Sequence, residues 1–212
     1  MKNQNIRMKK LITSLCSLLV SFAAVTAHAQ TVTAIDPQGD AFYSNGHEAP
    51  AFLDILAGSF TISDTLTCTV DVAGSLDALP NPPGSGGIYF WNFGLNSNPS
   101  TDPPGLPSPP GQTSSPEFLV YALWDGTAFR GVFLDRRPAL TGGSPVQYSI
   151  PVSVSGSRII LTVPAALAAL VQPLPGASWY CITGWNNTAL FGIGTNAFHF
   201  ADLLGGRQPW PQ

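Results

Sequence analysis

The stretch Leu66–Gly74, LTCTVDVAG, alternates apolar and polar residues with a period of two. Its apolar positions are Leu66, Cys68, Val70 and Val72. Threonines and one aspartate occupy the positions between them, so the two kinds of residue fall on opposite faces of an extended chain. Such alternation is typical of a strand with one face on a core and the other toward solvent. The segment therefore predicts a half-buried β-strand.

The same kind of pattern, punctuated by Gly, Pro and Asn, extends along the rest of the chain. The segments GIYFWNFGL (87–95) and EFLVYALW (117–124) are apolar on both faces, which is typical of central strands. Asp125-Gly126 separates two strand-like runs and predicts a hairpin. The run 147–164 repeats this arrangement with a turn at 155–157. SWYCITGW (178–185) and NAFHFADLL (196–204) predict further strands.

Only PAALAALV, from Pro164 to Val171, has a helical composition. Pro164 suits the first helical position and Pro173 ends the run, so the segment predicts a connector of at most two turns. Many short strands, frequent turns and almost no helix predict an all-β fold. We expect a single antiparallel β-sandwich with one short helical connector.

The first residues predict a cleaved signal peptide over positions 1–29. Met8-Lys9-Lys10 is basic, Leu11 to Val25 is apolar, and Ala27-His28-Ala29 has the small-x-small pattern of a cleavage site. We therefore expect a secreted or periplasmic protein whose single domain spans 30–212. Within it, the segment from Asn96 to about Pro116 is rich in proline and predicts a long extended loop.

Without residues 1–29 the chain has five arginines, no lysine and twelve acidic residues, a net charge of −7. Nucleic acids and anionic membranes bind through clustered cations, so this balance argues against both as partners. The ligands left open are neutral molecules, cations and other proteins.

Three carboxylates lie close together in the segment TAIDPQGDAFYSNGHEAPAFLDILAGSF (33–60). Asp36-Pro37-Gln38-Gly39 is a good turn sequence by itself. That explanation does not account for Asp40, nor for Asp54 at the head of an apolar strand. Calcium binds several oxygen ligands from flexible turns. A turn alone and a turn with a calcium site both remain open from the residue types.

The phrases DPQGD, FLDILAGSF, LTCTVDVAG and SGSRIILTVPAAL together resemble a group of secreted bacterial β-sandwich domains. The group includes family 9 carbohydrate-binding modules, the C-terminal module of glucodextranase and DOMON-like domains. The resemblance implies a jelly-roll-like sandwich with a cation site near the first strand. Asp36, Asp40 and Asp54 match the acidic positions of that site. The ending FADLLGGRQPWPQ departs from the Asp-x-Ala-Pro ending expected of the group.

Aromatic residues provide a second candidate site, because sugar-binding modules stack flat rings on pyranose rings. Trp124 in a strand and Trp185 in the turn-like GWNNT are the candidate stacking residues, with core packing as the alternative for each. A sugar platform of this kind needs at least two exposed, coplanar rings. The cysteines Cys68 and Cys181 lie in strand-like segments and predict a disulfide, with two buried thiols as the alternative.

These features predict an exported, non-catalytic binding module, most readily for a neutral glycan, with a structural calcium site. An extracellular structural or protein-interaction domain, acting through the proline-rich loop, is the second hypothesis. A hydrolase is the third, and no catalytic motif in the sequence supports it.

Overall fold

The computed structural model describes residues 29–43, 46–82, 86–104, 115–186, 198–204 and 208–210. These residues form two antiparallel sheets that enclose one main hydrophobic core. The predicted all-β sandwich is therefore confirmed. The predicted signal peptide and residues 105–114 of the proline-rich loop lie outside the described residues.

The smaller sheet contains five strands in the order β1-β2-β3-β9-β8. Their bounds are β1 Gln30–Ile35, β2 Ile55–Ile62, β3 Leu66–Val72, β8 Val152–Ser155 and β9 Arg158–Val163. Burial alternates along β3, with Leu66, Cys68, Val70 and Val72 buried. The opening stretch of the sequence is thus a half-buried strand, as predicted, and it lies at the centre of this sheet.

The larger sheet follows the order β11-β10-β4-β5-β6-β7, with a short strand β12 also paired to β10. Its strands are β4 Ile88–Asn96, β5 Phe118–Trp124, β6 Phe129–Asp135, β7 Val146–Ile150, β10 Ser178–Asn186, β11 Phe198–Leu203 and β12 Gln208–Pro209. Every residue of β4 is buried, as predicted for a central strand. Tyr180 lies against Gly94 on the neighbouring strand, in a space that any side chain at position 94 would occupy.

The turns of both predicted hairpins form. Asp125 joins β5 to β6, and its Oδ1 accepts hydrogen bonds from Thr127 and from the backbone N–H of Ala128. These bonds, the one from the Thr127 hydroxyl first, lower the pKa of Asp125 to about 2. In the second hairpin Ser155 pairs with Arg158 around Gly156, whose φ of +60° suits glycine.

The run 147–164 contains one more element than the prediction had. Pro151 separates β7, in the larger sheet, from β8, in the smaller sheet. Proline has no N–H for a strand ladder, so it suits the point where the chain passes from one sheet to the other. The hairpin prediction is correct only for the part after Pro151.

Helical structure in the described residues is short. The predicted connector forms a single turn, α1 Ala165–Ala168, and Pro164 precedes it instead of opening it. Two 3-10 helices, Ala51–Leu53 and Arg137–Thr141, lie between strands. No helix in the described part of the chain has both the length and the apolar character needed to cross a bilayer.

A buried glutamate and an exposed aspartate hold the ends of the proline-rich segment together. Glu117, which is 2% exposed, accepts hydrogen bonds from the backbone N–H groups of Ser97 and Asn98 and from the Thr101 hydroxyl. Asp102 accepts one from the N–H of Ser115 at 2.7 Å. The two described ends of the loop therefore lie side by side.

Arg136, which is 1% exposed, completes this anchor. Its guanidinium donates to the carbonyls of Pro103 at 2.7 Å, Pro104 at 3.2 Å and Pro116 at 2.7 Å. Proline-rich backbone lacks N–H groups and leaves its carbonyls without strand partners. The guanidinium supplies donors in their place.

We expect Arg136→Met to lower the free energy of unfolding by more than about 2 kcal/mol, because it leaves buried carbonyl oxygens without donors. Urea denaturation measures this change. The matched control is Arg130→Met, since Arg130 is exposed and only forms a surface ion pair with Asp125. Its loss should cost less than about 1 kcal/mol. Equal costs for the two variants would contradict the anchoring role of Arg136.

The two cysteines that were predicted to pair lie in opposite sheets, Cys68 in β3 and Cys181 in β10. Both are fully buried free thiols, so the predicted disulfide is not formed in this structure. Burial raises the pKa of each thiol well above its usual range. A buried thiol with a raised pKa reacts slowly, because the thiolate is the nucleophile.

We therefore expect Cys68 and Cys181 to resist an aromatic disulfide reagent in the folded protein and to react in denaturant. The readout is thiol absorbance with and without denaturant, on protein purified under oxidising conditions. The disulfide predicted from the sequence would instead leave both sulfurs unreactive in denaturant until a reductant is added.

Candidate functional site

The candidate cation site begins at the turn after β1. Asp36 follows the strand directly and is 9% exposed, and its N–H donates to the Leu56 carbonyl at 2.9 Å. Gly39 adopts a φ of +87°, a conformation that strains other residues, and so allows the chain to reverse. Asp40 follows at an exposed position. The turn thus presents two carboxylates at the edge of the smaller sheet.

A third carboxylate reaches this turn from the other sheet. One oxygen from each of Asp36, Asp40 and Asp202 lies within 4.8 Å of the others. Asp202 is in β11, at the edge of the larger sheet, whereas Asp36 adjoins the edge strand β1 of the smaller sheet. The cluster therefore bridges the two sheets along one open side of the sandwich.

Asp54, predicted as a ligand together with Asp36 and Asp40, does not belong to this cluster of three. Its Oδ2 accepts a hydrogen bond from the Gly39 N–H at 2.9 Å, so Asp54 stabilises the backbone of the turn. Its Oδ1 is buried and has no hydrogen-bond partner in the described structure, although the residue is only 4% exposed. Asp54 also lines a cavity of about 130 Å³ with Glu48 and Gly39. That cavity has room for water beside the turn.

Asp202 is the site residue that sequence reasoning missed. A carboxylate in the mostly apolar strand segment FHFADLL was the available signal. Its Oδ2 accepts from the Ile55 N–H at 2.6 Å and its Oδ1 from the Leu203 N–H at 2.7 Å. These bonds fix the carboxylate at the start of β2. They hold it facing the turn that carries Asp36.

The electrostatics of the cluster are unfavourable by themselves. Burial, and then the charges of Asp36 and Asp40, raise the pKa of Asp202 from 3.8 to about 7, against the two backbone hydrogen bonds that lower it. Several carboxylates at short range repel one another unless one takes up a proton or a cation lies between them. Carboxylate oxygens at a turn are ligands that Ca²⁺ prefers. The donor set therefore fits a hard divalent cation.

The two tryptophans predicted to bind a glycan lie in one aromatic row. Tyr89 in β4 pairs with Trp185 in β10 on one side and with Trp124 in β5 on the other. Phe129 in β6 continues the row, with its ring centroid 5.0 Å from that of Trp124. Directly paired residues lie on the same face of a sheet. The structure thus brings together rings that are far apart in the chain.

The exposure of this row differs from the prediction. Tyr89 is 5% exposed, and Trp124 and Trp185 are partly buried against the main core. The Trp124 indole N–H also donates to the Pro80 carbonyl at 3.2 Å. The two rings therefore do not form the fully exposed pair that a flat sugar platform requires, and only part of each is open to a ligand.

Tyr43 links the carboxylate turn to the aromatic row. It lies three residues after Asp40, packs against the main core and interacts electrostatically with Tyr89. Burial, and then this interaction, raise the pKa of Tyr43 to about 12. The segment between them is held by a hydrogen bond from the Ala49 N–H to the Ala41 carbonyl at 2.9 Å. Tyr43 therefore lies between the carboxylate turn and Tyr89 of the aromatic row.

A second cleft, of about 380 Å³, lies at another part of the surface. Glu117 and Arg137 line it, together with the exposed side chains of Leu140 and Leu174. The Arg137 guanidinium is fixed by Asp135, through bonds of 2.9 and 2.7 Å, and lies over the Phe118 ring at 4.7 Å. The cleft thus combines an arginine held by an ion pair with two exposed leucines.

No protein-family model, curated protein or solved structure matches this chain. The resemblance to family 9 carbohydrate-binding modules and DOMON-like domains therefore stays a prediction from the sequence.

In the presence of a chelator, we expect the free energy of unfolding to fall as the pH rises from about 4 to about 7. Asp202 has a raised pKa in the folded state, so the folded protein holds this proton more tightly than the unfolded chain. That stabilisation is complete below the unfolded pKa and is lost as the pH passes the folded value of about 7. Denaturant titrations at several pH values measure the slope.

The control for this measurement is Asp202→Asn, which keeps the shape of the side chain and cannot titrate. Asp202→Asn should flatten the dependence of the unfolding free energy on pH. Calcium should remove most of the stability loss that the wild-type protein shows as the pH rises. Identical slopes for the two chains in chelator would contradict the role given to Asp202.

Proposed function

We propose that this protein is an exported, non-catalytic module that binds a neutral glycan and uses a calcium ion to hold its two sheets together. The observation that carries the proposal is the row formed by Trp185, Tyr89 and Trp124, to which Tyr43 connects the carboxylate turn. The glycan would contact the solvent-accessible parts of Trp124 and Trp185.

Charge supports a neutral ligand. The chain beyond residue 29 contains no lysine, and three of its carboxylates cluster near Tyr43. An anionic ligand would meet a repulsive field at this end of the sandwich. Partly buried aromatic rings bind uncharged rings through dispersion and desolvation, which need no charged partner.

The calcium part rests on the three converging carboxylates and on Asp54, whose Oδ1 is buried without a hydrogen bond in the described structure. Asp36, Asp40 and Asp202 are the proposed direct ligands, and Asp54 supports the turn. A cation there would offset the repulsion among them. It would also order Tyr43, so glycan affinity should depend on calcium.

The experiment is binding of uncharged gluco-, xylo- and manno-oligosaccharides to the purified protein in calcium, first on an array and then by calorimetry. For the oligosaccharide that binds best, we expect Trp124→Ala and Trp185→Ala each to weaken affinity about tenfold or more, equivalent to about 1.4 kcal/mol. Chelation should weaken it as well.

Leu174→Ala is the matched control, because Leu174 is 50% exposed and lies at the second cleft, away from the aromatic row. It should leave affinity unchanged, and the melting temperature of every variant is measured alongside. Absence of binding to all three classes in calcium would reject the glycan proposal. Loss of binding only in Leu174→Ala would move the site to the second cleft.

The protein-interaction hypothesis keeps one observation in its favour. Four of the six large apolar side chains exposed in the described structure, Leu140, Leu174, Val146 and Tyr148, surround the corner that holds Arg137. Apolar residues around a fixed arginine, with an aromatic ring nearby, are typical of protein interfaces.

A further inference from the structure

On one side of the sandwich, the outermost strands belong to a segment without charged residues. Residues 138–157, from the residue after Arg137 to the residue before Arg158, include no acidic or basic side chain. They contain both β7 and β8, which are the last strands of the larger and smaller sheets on this side. In a chain with net charge −3 and a further excess of acid beyond residue 29, this side is electrostatically distinct.

Strand β7 has the properties of an unprotected edge. Its residues Val146 to Ser149 are exposed, and no described strand pairs with its outer side. Val146 and Tyr148 are 41% and 37% exposed, although both belong to the alternating set that includes the buried Ile150. Proteins usually protect an edge strand with lysine, proline, an inward-pointing charge, a bulge or a short length. The five residues of β7 include no charged residue and no proline, and their pairing with β6 has no bulge.

The other edges offer a poorer surface for pairing between copies. Strand β1 leads directly into Asp36 and β11 contains Asp202, so both of these edges adjoin the acidic cluster. Strand β8 has only four residues. Copies of an acidic chain repel one another least where neither carries charge. The charge distribution therefore favours β7.

The sequence of β7 is also compatible with itself. Pro145 and Pro151 limit pairing to Val146–Ile150 and place Tyr148 at its centre. In an antiparallel pair centred there, Val146 lies opposite Ile150 of the second copy, and Gln147 lies opposite Ser149. Apolar residues thus meet apolar residues and polar residues meet polar ones, which is the requirement of a twofold-symmetric interface.

We propose that two copies of this chain pair through β7, antiparallel about a twofold axis at Tyr148, and join their larger sheets into one. The inference goes beyond glycan binding and does not depend on it. The exposed Val146 and Tyr148 would be covered by their counterparts in the second copy. Because the paired segment is short, the dimer should dissociate on dilution.

Light scattering coupled to gel filtration, over a range of protein concentrations, tests the dimer directly. We expect a concentration-dependent dimer mass for the wild-type protein. Tyr148→Lys should give a monomer, because it places two like charges at the axis, and an unchanged melting temperature would show that the fold is intact. A monomer at every concentration, or a dimer in a folded Tyr148→Lys chain, would overturn the proposal.

Cysteine crosslinking tests the register without disturbing the edge by charge. Residues directly opposite in a strand pair are close enough for a disulfide. Tyr148→Cys should therefore give a covalent dimer on mild oxidation. Gln147→Cys alone should not crosslink, since position 147 of one copy would lie about 8 Å from position 147 of the other. A mixture of Gln147→Cys and Ser149→Cys chains should crosslink, because these two positions would lie directly opposite each other. Crosslinking of Gln147→Cys alone at the same rate would overturn the predicted register.

Discussion

Strand β10 pairs with β4 along its whole length, from Ser178 with Asn96 to Asn186 with Ile88. This pairing joins two segments that are distant in the chain and forms the middle of the larger sheet. It places Trp185 beside Tyr89, and it carries β11, with Asp202, to the side of the sandwich where β1 lies. Both candidate sites depend on it, because the aromatic row joins Tyr89 to Trp185 and the carboxylate cluster joins Asp36 to Asp202.

The carboxylate cluster and the uncharged strands β7 and β8 lie on opposite sides of the sandwich. On one side, Asp36, Asp40 and Asp202 meet between the sheets. Backbone N–H groups of Ile55 and Leu203 hold Asp202 in place. On the other side, β7 and β8 are uncharged. A cation between the carboxylates and a second copy against β7 would thus act on separate parts of the molecule.

Buried charge serves a different purpose at the proline-rich loop. Glu117 accepts from N–H groups at one end of the loop, and Arg136 donates to carbonyls at both ends. Proline-rich backbone has few donors and cannot join a sheet. Charged side chains therefore supply the hydrogen bonds that a strand ladder would otherwise supply. One of them, Glu117, also lines the second cleft.

Much of the local structure follows from the sequence. The alternation in LTCTVDVAG determined which face of β3 is buried, and Asp125-Gly126 and Gly156 determined two turns through their backbone preferences. Period-two patterns and turn residues act between near neighbours, so they can be read from a single chain. The same holds for Asp36 and Asp40, which one turn brings together.

Tertiary structure decided what depends on pairing between distant strands. It brought Asp202 to the turn and left Asp54 outside the cluster, hydrogen-bonded to Gly39. It also divided residues 147–164 between two sheets at Pro151 and buried most of the aromatic row. It also put Cys68 and Cys181 in opposite sheets as free thiols. A strand pattern specifies its own faces but not its neighbours, because pairing partners are selected by the packing of the whole core.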